Sequence, residues 1–300
     1  MSHASRYLFV APALVVVLAT ACWPLARAMM LAFQEWQLAT HDAPAWLWVP
    51  ADGWANLADL VLNFMRLAED PLVRNSLGAT VHFTVTSVVL TLAISLGLAM
   101  LLSRDGVGKA LLRAILILPF VMSPALIGVS WRFMFNPEHG LFSALMRPLG
   151  GAMADALGSA GLALWVVVSA DVWHWTPYVT LMLMAALAAI PAETREAAAV
   201  DGATPAQVFR DITLPHLAPT LAVAIVLKSI FALKAFDLVY TITGGGPGSA
   251  TQVLSHYIYF QGFRYFDLGY AAALASLLVV PMAVLAWLYI RLSFRVARPG

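Results

Sequence analysis

The sequence predicts an all-α integral membrane protein with six transmembrane helices. Of its 300 residues, 61% are hydrophobic and only 11% are charged, and the mean hydropathy is +0.82. Soluble domains carry about 25% charged residues, so this chain lacks the polar surface that it would need in water. Six apolar runs are each long enough to cross a bilayer, which takes about 20 residues as a helix. The whole chain, residues 1–300, is therefore predicted to be a single transmembrane domain.

The six apolar runs are predicted to be the transmembrane spans. They cover residues 7–33, 79–103, 111–135, 161–190, 217–243 and 268–292. Neighbouring helices can re-satisfy the backbone groups that a proline frees, so prolines inside these runs predict kinks rather than breaks. These prolines are Pro12, Pro24, Pro119, Pro124, Pro177 and Pro281.

The distribution of Arg and Lys predicts that both termini lie in the cytoplasm. An even number of spans places both termini on the same side of the membrane. With the termini inside, nine Arg or Lys residues lie in the inside segments or at the adjoining ends of the spans, and five lie in or beside the longer outside segments. Cytoplasmic loops are enriched in Lys and Arg, so this orientation is the favoured one.

Composition and missing motifs exclude several functions. A net charge of +1 does not indicate a nucleic-acid-binding surface. The single cysteine, Cys22, allows no intrachain disulfide, and the seven histidines show no metal-ligand spacing. The segment ending at Cys22 faintly resembles a lipoprotein cleavage box, but the apolar run continues to Phe33, which is too long for a signal peptide. No phosphate-binding GxxxxGK(S/T) loop, HExxH or GxSxG motif occurs, so we expect no catalytic residue, bound metal or ATP site in this chain.

The longest water-compatible segment between two apolar runs on the predicted cytoplasmic side is residues 191–215. It is predicted to form two short helices joined at Gly202, which can take the positive φ of a helix end. Pro191 suits the first turn of the first helix, where its missing N–H costs nothing. The alanines at 197–199 favour helix and have almost no side-chain bulk, so another surface can approach them closely.

The second helix of this segment is predicted from its first turn. Thr204 is the predicted N-cap, and Pro205 follows as the first residue of the helix. Gln207, at the third helical position, completes a capping box. An apolar edge at helical spacing follows, formed by Val208, Phe209 and Ile212. Pro215 is predicted to end this helix. The edge can bind a soluble partner or pack against the protein's own membrane domain, and local sequence leaves both alternatives open.

One motif in this segment resembles a known family. The residues are Glu196, Ala197, Ala198, Asp201, Gly202, Ala203, Ile212, Thr213, Leu214 and Pro215. Their types and spacing resemble the EAA motif of permease subunits in binding-protein-dependent ABC importers. Phe209, which lies between Ala203 and Ile212, is expected to fill a pocket of the partner. The resemblance implies the type I importer permease fold, in which this loop is a coupling helix that docks on an ATPase subunit. Arg195 departs from the pattern, because many relatives carry an aromatic residue there.

More of the chain is similar to the carbohydrate-uptake branch of that family, and to its maltose-type larger permease. The matching segments include Trp23-Pro24, Phe135-Asn136-Pro137, Thr176-Pro177, Ile190-Pro191 and Gly245-Gly246-Pro247. The large extra outside domain of some members is absent, because residues 34–78 are too few; they suffice for a short amphipathic helix and irregular chain.

The resemblance implies a set of partners and a place in the cell. The chain is expected to join a homologous second permease subunit, two ATP-binding subunits and an extracytoplasmic solute-binding protein in the bilayer of the bacterial inner membrane. ATP and Mg²⁺ are expected in the partner ATPase, with no cofactor on this chain. The imported solute is expected to be a carbohydrate or a similar molecule, but the sequence leaves sugar, polyol, sugar acid and glycerol phosphate open.

Charged and aromatic residues inside the spans are candidates for the solute path, because intramembrane charges usually face a cavity or a partner. The candidates are Trp131, Asp171, Trp173, His174, Trp175, Lys234, Asp237 and Tyr240. Lys234 and Asp237 are three residues apart, so they are predicted to share a helix face and to be able to pair. Lys228 lies off that face and is predicted to face the inner interface. A structural ion pair and an interfacial aromatic cluster are the alternatives.

A glycine-rich loop follows the fifth predicted span, at Thr243, Gly244, Gly245, Gly246 and Pro247. Its glycines suit a backbone that must approach another surface closely. The resemblance places this loop near the docked solute receptor, and a flexible turn is the alternative.

Two other functions remain as alternatives at this stage. If the chain were a self-sufficient secondary transporter or channel, it would transport without an ATPase. Many secondary transporters are built from internal repeats, and the six predicted spans show no clear repeat. A membrane-anchored scaffold needs no polar groups in the fifth span, where Lys234 and Asp237 lie.

Overall fold

The protein is helical almost throughout in the computed structural model, which confirms the predicted all-α class. The structure describes residues 3–38, 45–46, 61–103, 108–149 and 155–296. The α-helices are α1 (His3–Val17), α2 (Trp23–Leu31), α3 (Leu62–Glu69), α4 (Pro71–Leu102), α5 (Lys109–Val121), α6 (Pro124–Met134), α7 (Leu141–Met146), α8 (Ala160–Ala188), α9 (Ala192–Val200), α10 (Pro205–Val208), α11 (Leu214–Leu233), α12 (Asp237–Ile242), α13 (Leu254–Tyr259) and α14 (Leu268–Val296). Short π-helical or 3₁₀ segments lie at Leu18–Cys22, Arg147–Leu149, Phe209–Thr213 and Phe260–Arg264.

Two features of the predicted outside segment 34–78 are visible. The predicted short helix is present as α3. The sequence did not predict the antiparallel pair of two-residue strands, β1 (Gln34–Glu35) and β2 (Ala45–Trp46), in which Gln34 lies opposite Trp46. The sequence also missed α7 and α13, which lie between predicted spans.

Within the described residues, four helical stretches are long and apolar enough to cross a membrane. They are Val10–Leu31, Pro71–Leu102, Pro205–Leu233 and Leu268–Arg291. Two further pairs, α5 with α6 and α8 with α9, are long and apolar enough only when each bent pair is taken together. Counting each pair as one span gives six, so the number of six spans stays a prediction, as does the single domain.

Proline acts differently in different helices. Four of the prolines lie inside continuous helices, as predicted: Pro12, Pro119, Pro177 and Pro281. At Pro124, however, the predicted kink is wrong, because α5 and α6 are separate helices that meet at 97°. Ser123 is extended, as the residue before a proline tends to be, and its hydroxyl accepts a hydrogen bond from Leu126 N–H at 3.3 Å. The chain therefore ends one helix and starts another at this point.

The predicted fifth span, 217–243, differs most from the structure. Its helix begins twelve residues earlier, at Pro205, and ends at Leu233. Pro215 does not end the second helix of the 191–215 segment, so that prediction was wrong. Leu214 N–H donates to the carbonyl of Phe209, five residues back. This π-helical shift lies beside Pro215, whose nitrogen has no hydrogen to donate, so the helix can pass through.

The chain divides into two compact units, and the first contains residues 1–73 and 257–280. Within it, the buried Asn63 side chain donates hydrogen bonds to the backbone oxygens of Ala32 and Gln34, each at 3.1 Å. These carbonyls have left the regular helix, so a side-chain donor satisfies backbone groups that would otherwise be orphaned.

A second polar cluster in the same unit surrounds Asp70. Its carboxylate accepts hydrogen bonds from Tyr257 Oη at 2.5 Å, from Tyr270 Oη at 2.7 Å and from Leu72 N–H at 2.8 Å. Partial burial raises the pKa of Asp70, but these hydrogen bonds outweigh it, and the pKa lies below its usual value. Burial and the neighbouring carboxylate raise the pKa of Tyr257 to about 12.

The second unit contains residues 74–256 and 281–300. Its central helix is α8, which packs against α5 and α11, while α12 packs against α6. One apolar cluster is centred on Phe83, Val167 and Val239, and a second one contains Leu183 and Leu217. The helices that carry the candidate solute-path residues are thus held together by apolar packing.

Helix α4 buries one face and exposes the other. The buried face is lined at roughly helical spacing by small polar residues, namely Ser76, Thr80, Ser87, Thr91 and Ser95. The opposite face exposes Val81, Val85 and Val89. Small residues let helices approach closely in a membrane, and their hydroxyls can bond across the contact. This arrangement places Ser87 where it can reach other helices.

Candidate functional site

The 191–215 loop turns at Gly202, as predicted. Helix α9 ends with Ala203 N–H donating to the carbonyl of Ala198 at 2.9 Å, and Gly202 has a φ of +74°. This is the Schellman type of helix end, which favours glycine. A side chain added at Gly202 would meet only open space, so the backbone angle rather than packing requires the glycine.

The predicted capping box begins the second helix of this loop. Thr204 N–H donates to Gln207 Oε1 at 2.8 Å, and Gln207 N–H donates to Thr204 Oγ1 at 3.4 Å. Pro205 occupies the first turn. The N–H groups of Thr204 and Gln207, which have no partner within the helix, thus bond to side chains three residues away, and the predicted capping box is confirmed.

The predicted partner-facing residues of the loop differ in exposure. Exposed are Glu196, Ala197, Asp201, Gly202, Leu214 and Pro215; half-buried are Ala203, Phe209 and Ile212; Ala198 is buried. Ile212 packs against an apolar cluster that includes Leu187 and Leu217, so part of the apolar edge serves this chain's own packing. The side chain of Arg195 lies outside the described part of the chain. The role of the loop in coupling stays a prediction.

A buried charge cluster, formed by Ser87, Asp171 and Lys228, joins α4, α8 and α11. The ammonium of Lys228 and the hydroxyl of Ser87 both donate to Asp171 Oδ2. Asp171 is 2% exposed and Lys228 is 1% exposed. A buried charge is tolerated only when it is paired and hydrogen-bonded, and each of these two charges supplies the other's partner.

Sequence reasoning placed Asp171 among the path candidates but was wrong about Lys228. It predicted that Lys228 would face the inner interface, whereas Lys228 pairs with Asp171, 57 residues away. Ser87 was missed altogether. Two signals were present: a lysine inside an apolar helix needs a partner, and Ser87 belongs to the row of small polar residues on α4.

Five of the eight predicted path residues line one cavity of about 110 Å³, which we name the charged cavity. They are Asp171, His174, Trp175, Lys234 and Asp237, and the remaining walls come from Pro124, Phe231, Ala235, Phe236 and Leu238. The cavity lies where α11 ends, between Leu233 and the start of α12. Breaks in membrane helices place polar backbone and side chains beside cavities that a solute can enter.

Lys234 and Asp237 do not form the predicted pair. The helix ends at Leu233, so the two residues lie on either side of a break and do not share a helix face. Lys234 Nζ lies 4.6 Å from the centroid of the Phe231 ring instead. Within the described residues no ion pair joins Lys234 to Asp237, and both side chains are exposed.

The other three path candidates lie elsewhere in the same unit. Trp131 and Trp173 pack against each other with centroids 6.2 Å apart, and Trp173 also lines an apolar groove of about 660 Å³. Tyr240 stacks on Phe236 at 5.2 Å. Trp131 and Trp173 thus lie in one aromatic group, and Tyr240 lies in another with Phe236 and His256; none of the three lines the charged cavity.

His174 has a defined hydrogen-bonding role. Its Nδ1 lies 2.9 Å from the carbonyl oxygen of Pro119, and its ring stacks on Phe120. A carbonyl oxygen only accepts, so Nδ1 carries the proton, and a neutral ring leaves Nε2 as an acceptor. Among the described residues, no three His, Cys, Asp or Glu side chains lie close enough to hold a metal ion.

The glycine-rich loop is tied down by hydrogen bonds. Thr251 donates from its N–H to the carbonyl of Gly245 at 3.1 Å and from its hydroxyl to that of Gly246 at 2.8 Å. Gly245 has a φ of +88°, and a Cβ there would lie 2.7 Å from the ring of His256. The loop is thus a built structure, and glycine is required at Gly245 by both backbone angle and space.

This loop forms one wall of a second cavity, of about 350 Å³. Its lining includes Arg132, Asn136, Thr243, Gly246 and Pro247. Arg132 is exposed in the last turn of α6. The cavity is therefore polar and open, and it lies within the same unit as the charged cavity.

Comparison with known proteins gives a consistent result. The model of a family described as "binding-protein-dependent transport system inner membrane component" matches residues 73–298. The trehalose/maltose transport system permease protein MalF of Thermococcus litoralis is 39% identical over 69% of this chain and 69% of its own length. The sn-glycerol-3-phosphate transport system permease protein UgpA of Agrobacterium fabrum is 34% identical over 91% of this chain and 89% of its own.

A solved structure is similar over nearly the full length. It is a chain of a bacterial alginate ABC transporter in complex with an alginate pentasaccharide-bound periplasmic protein. The TM-score is 0.78, with 98% of this chain and 96% of that chain covered. The sequence identity is 19%, and at that level the likeness concerns the fold alone.

Proposed function

We propose a detailed role for this chain from one premise: it belongs to the family of binding-protein-dependent transport system inner membrane components. It is a permease subunit of an ABC importer and a multi-pass protein of the inner membrane. Such permease subunits are not themselves enzymes.

The solute is proposed to be a carbohydrate or a carbohydrate-like molecule. Relatives that are similar over two thirds of the chain or more are named for trehalose and maltose or for sn-glycerol 3-phosphate, and all three are polyhydroxylated. The charged cavity suits such a solute. The aromatic face of Trp175 can contact the C–H face of a sugar ring, and the carboxylate of Asp171 can accept hydrogen bonds from hydroxyls.

The 191–215 loop is proposed to receive the motion of the ATPase. One observation supports this role most directly: the loop is a bent, exposed helix pair whose outer surface is built from Glu196, Ala197 and Asp201. The second helix continues without interruption into α11, which ends at the charged cavity. A displacement of the loop can therefore move the cavity wall as part of one rigid element.

The mechanism is alternating access driven from outside this chain. ATP binding closes the pair of ATPase subunits, and the loop transmits this movement to the spans. The charged cavity then changes from facing inward to facing outward, and the receptor delivers the solute. ATP and Mg²⁺ belong to the partner subunits. A second homologous permease completes the path, and the termini of this chain lie in the cytoplasm.

The glycine-rich loop and its cavity of about 350 Å³ are proposed to face the docked solute receptor. The loop is held in shape by Thr251, so it can present a fixed surface rather than a flexible turn. A fixed surface loses less conformational entropy when a partner binds.

The coupling proposal is tested by replacing Gly202 with leucine. The importer would be purified with all its subunits and reconstituted in vesicles, and both ATP hydrolysis and ATP-driven uptake would be measured. We expect assembly to survive and uptake to fall by more than tenfold, because the side chain strains the positive-φ turn and changes the outer surface of the loop.

Gly108→Leu is the matched control. Gly108 also has a positive φ, of +82°, and a Cβ there also meets open space, but it caps α5 in another turn. We expect a similar loss of stability with far less loss of coupled uptake. Normal uptake by the Gly202 variant, or equal losses in the two variants, would count against the role of the loop.

A further inference from the structure

The charges around the charged cavity balance one another. In the described part of the chain, four side chains at the cavity have a formal charge at neutral pH: Asp171, Lys234 and Asp237 line the cavity, and Lys228 lies directly behind Asp171. Two of them are cationic and two are anionic, so their sum is zero. His174 also lines the cavity, and an imidazole is mostly neutral at pH 7.

Lys228 is not available to an anionic solute. Its ammonium is bound to Asp171 Oδ2, and Lys228 is not among the residues that line the cavity, whereas Asp171 is. Ser87 uses the same oxygen. Both described hydrogen bonds of the Asp171 carboxylate fall on Oδ2, which leaves Oδ1 as an acceptor. At this part of the wall, a solute therefore meets a hydrogen-bond acceptor and not a positive charge.

Among the described residues at the cavity, Lys234 is the remaining cation, and two carboxylates accompany it. Its Nζ lies over the Phe231 ring, and Asp237 follows three residues later on the same cavity wall. A phosphate or carboxylate beside Lys234 would also meet the negative fields of Asp237 and Asp171. Such like-charge interactions are strong in a site that is partly shielded from water.

Three helix ends meet at the cavity. The carboxyl end of α11, at Leu233, carries partial negative charge, whereas the amino ends of α6, at Pro124, and of the six-residue α12, at Asp237, carry partial positive charge. In the first turn of α12 the carboxylate of Asp237 offsets that positive charge. At the α6 end the hydroxyl of Ser123 already accepts one backbone N–H. The described side chains at the cavity thus sum to no net positive charge, and the helix ends add only partial charges of both signs.

The apolar part of the wall suits a neutral ring. Trp175 and Phe231 pack with centroids 4.5 Å apart, and both line the cavity.

We infer that the solute which passes the charged cavity is an uncharged polyhydroxylated molecule, such as a neutral sugar or polyol, and not a phosphorylated or acidic one. This inference rests on the proposed carbohydrate-import function. It separates two solute classes that the relatives leave open, since trehalose and maltose are neutral and sn-glycerol 3-phosphate is anionic.

The first experiment uses the complete reconstituted importer with its own solute receptor. ATP-driven uptake would be measured for a panel of radiolabelled neutral solutes (trehalose, maltose, sucrose and glycerol) and for an anionic panel (glycerol 3-phosphate, glucose 6-phosphate and glucuronate). We expect uptake only of neutral members. Uptake of an anionic member, or of no neutral member by an importer that hydrolyses ATP, overturns the inference. Absence of an ATPase from the purified complex would instead overturn the proposed function.

The second experiment changes the charge of the cavity wall. Asp237→Asn removes one negative charge from an exposed side chain. Glycerol 3-phosphate would be added as a competitor while uptake of the neutral solute is measured. We expect it to inhibit the variant roughly tenfold more strongly than the unaltered importer. Glu138→Gln is the matched control, because it removes the same charge from an exposed residue that does not line the charged cavity. Equal changes in the two variants, or no change in either, would count against a wall that excludes anions by charge.

Discussion

The 191–215 loop and the buried charge cluster lie in the same compact unit, but they are built from opposite kinds of contact. The loop is shaped by hydrogen bonds between residues three to five positions apart, as between Thr204 and Gln207. In the cluster, Asp171 bonds to residues 84 and 57 positions away. Most of the loop is exposed, and the cluster is almost fully buried. We therefore expect changes in the loop to act mainly on coupling and changes in the cluster to act first on stability.

The largest expected effect is that of Lys228→Met. It leaves the carboxylate of Asp171 buried without its cationic partner, and breaking such a pair costs about 3–5 kcal/mol. The measurement is thermal unfolding of the purified importer in detergent, together with the yield of assembled complex. We expect a large loss of both.

The double variant Asp171→Asn with Lys228→Met tests the cause of that loss. It removes both charges and keeps a side chain that Ser87 can bond, so we expect most of the stability to return. If the double variant loses as much stability as the single variants Asp171→Asn and Lys228→Met together, the two residues act independently. The comparison between a locally built loop and a cluster built by distant contacts would then fail.

Thr204→Ala is expected to have an intermediate effect on stability. It removes the side chain that caps the second helix of the loop, and loss of an N-cap costs about 1 kcal/mol. We expect a small decrease in thermal stability but a clear decrease in solute uptake per ATP hydrolysed. Thr204→Ser keeps the hydroxyl and serves as the control. A decrease in stability as large as that of Lys228→Met would remove the distinction between the two regions.

The smallest expected effect is a pH dependence that comes from Asp70, in the other compact unit. Its pKa is lowered in the folded protein, so its interactions contribute stability above the unfolded pKa of about 3.9. That contribution is lost as the pH falls through the lower, folded pKa. Unfolding measured between pH 3 and pH 6 should show this loss at the acid end.

Asp70→Asn is the matching variant for this third region. It keeps the side-chain shape but cannot ionise, so we expect lower stability at pH 6 and a weaker dependence on pH below about 4. A pH profile that is unchanged in the variant would assign the acid sensitivity to other carboxylates. Because Asp70 also bonds residues about 190–200 positions away, it extends the comparison to a second site built by distant contacts.

The sequence was most accurate where neighbours in the chain decide the structure. Gly202, Thr204 and Gln207 were placed correctly because helix caps depend on residues within one turn. The errors at Pro124 and Pro215 concern whether a helix breaks or adapts. That choice depends on the neighbouring structure. A π-helical turn accommodates Pro215 within a continuous helix, whereas one helix ends and another begins at Pro124.

The sequence by itself determined that this chain is an all-α membrane protein, where its local turns lie and which family it resembles, because hydrophobicity and capping act over short stretches of chain. Only the tertiary structure decided that Lys228 pairs with Asp171, that Ser87 joins them, and that Lys234 and Asp237 are separated by a helix break. The physical reason is that a buried charge needs a partner, but the identity of that partner depends on which helices pack together.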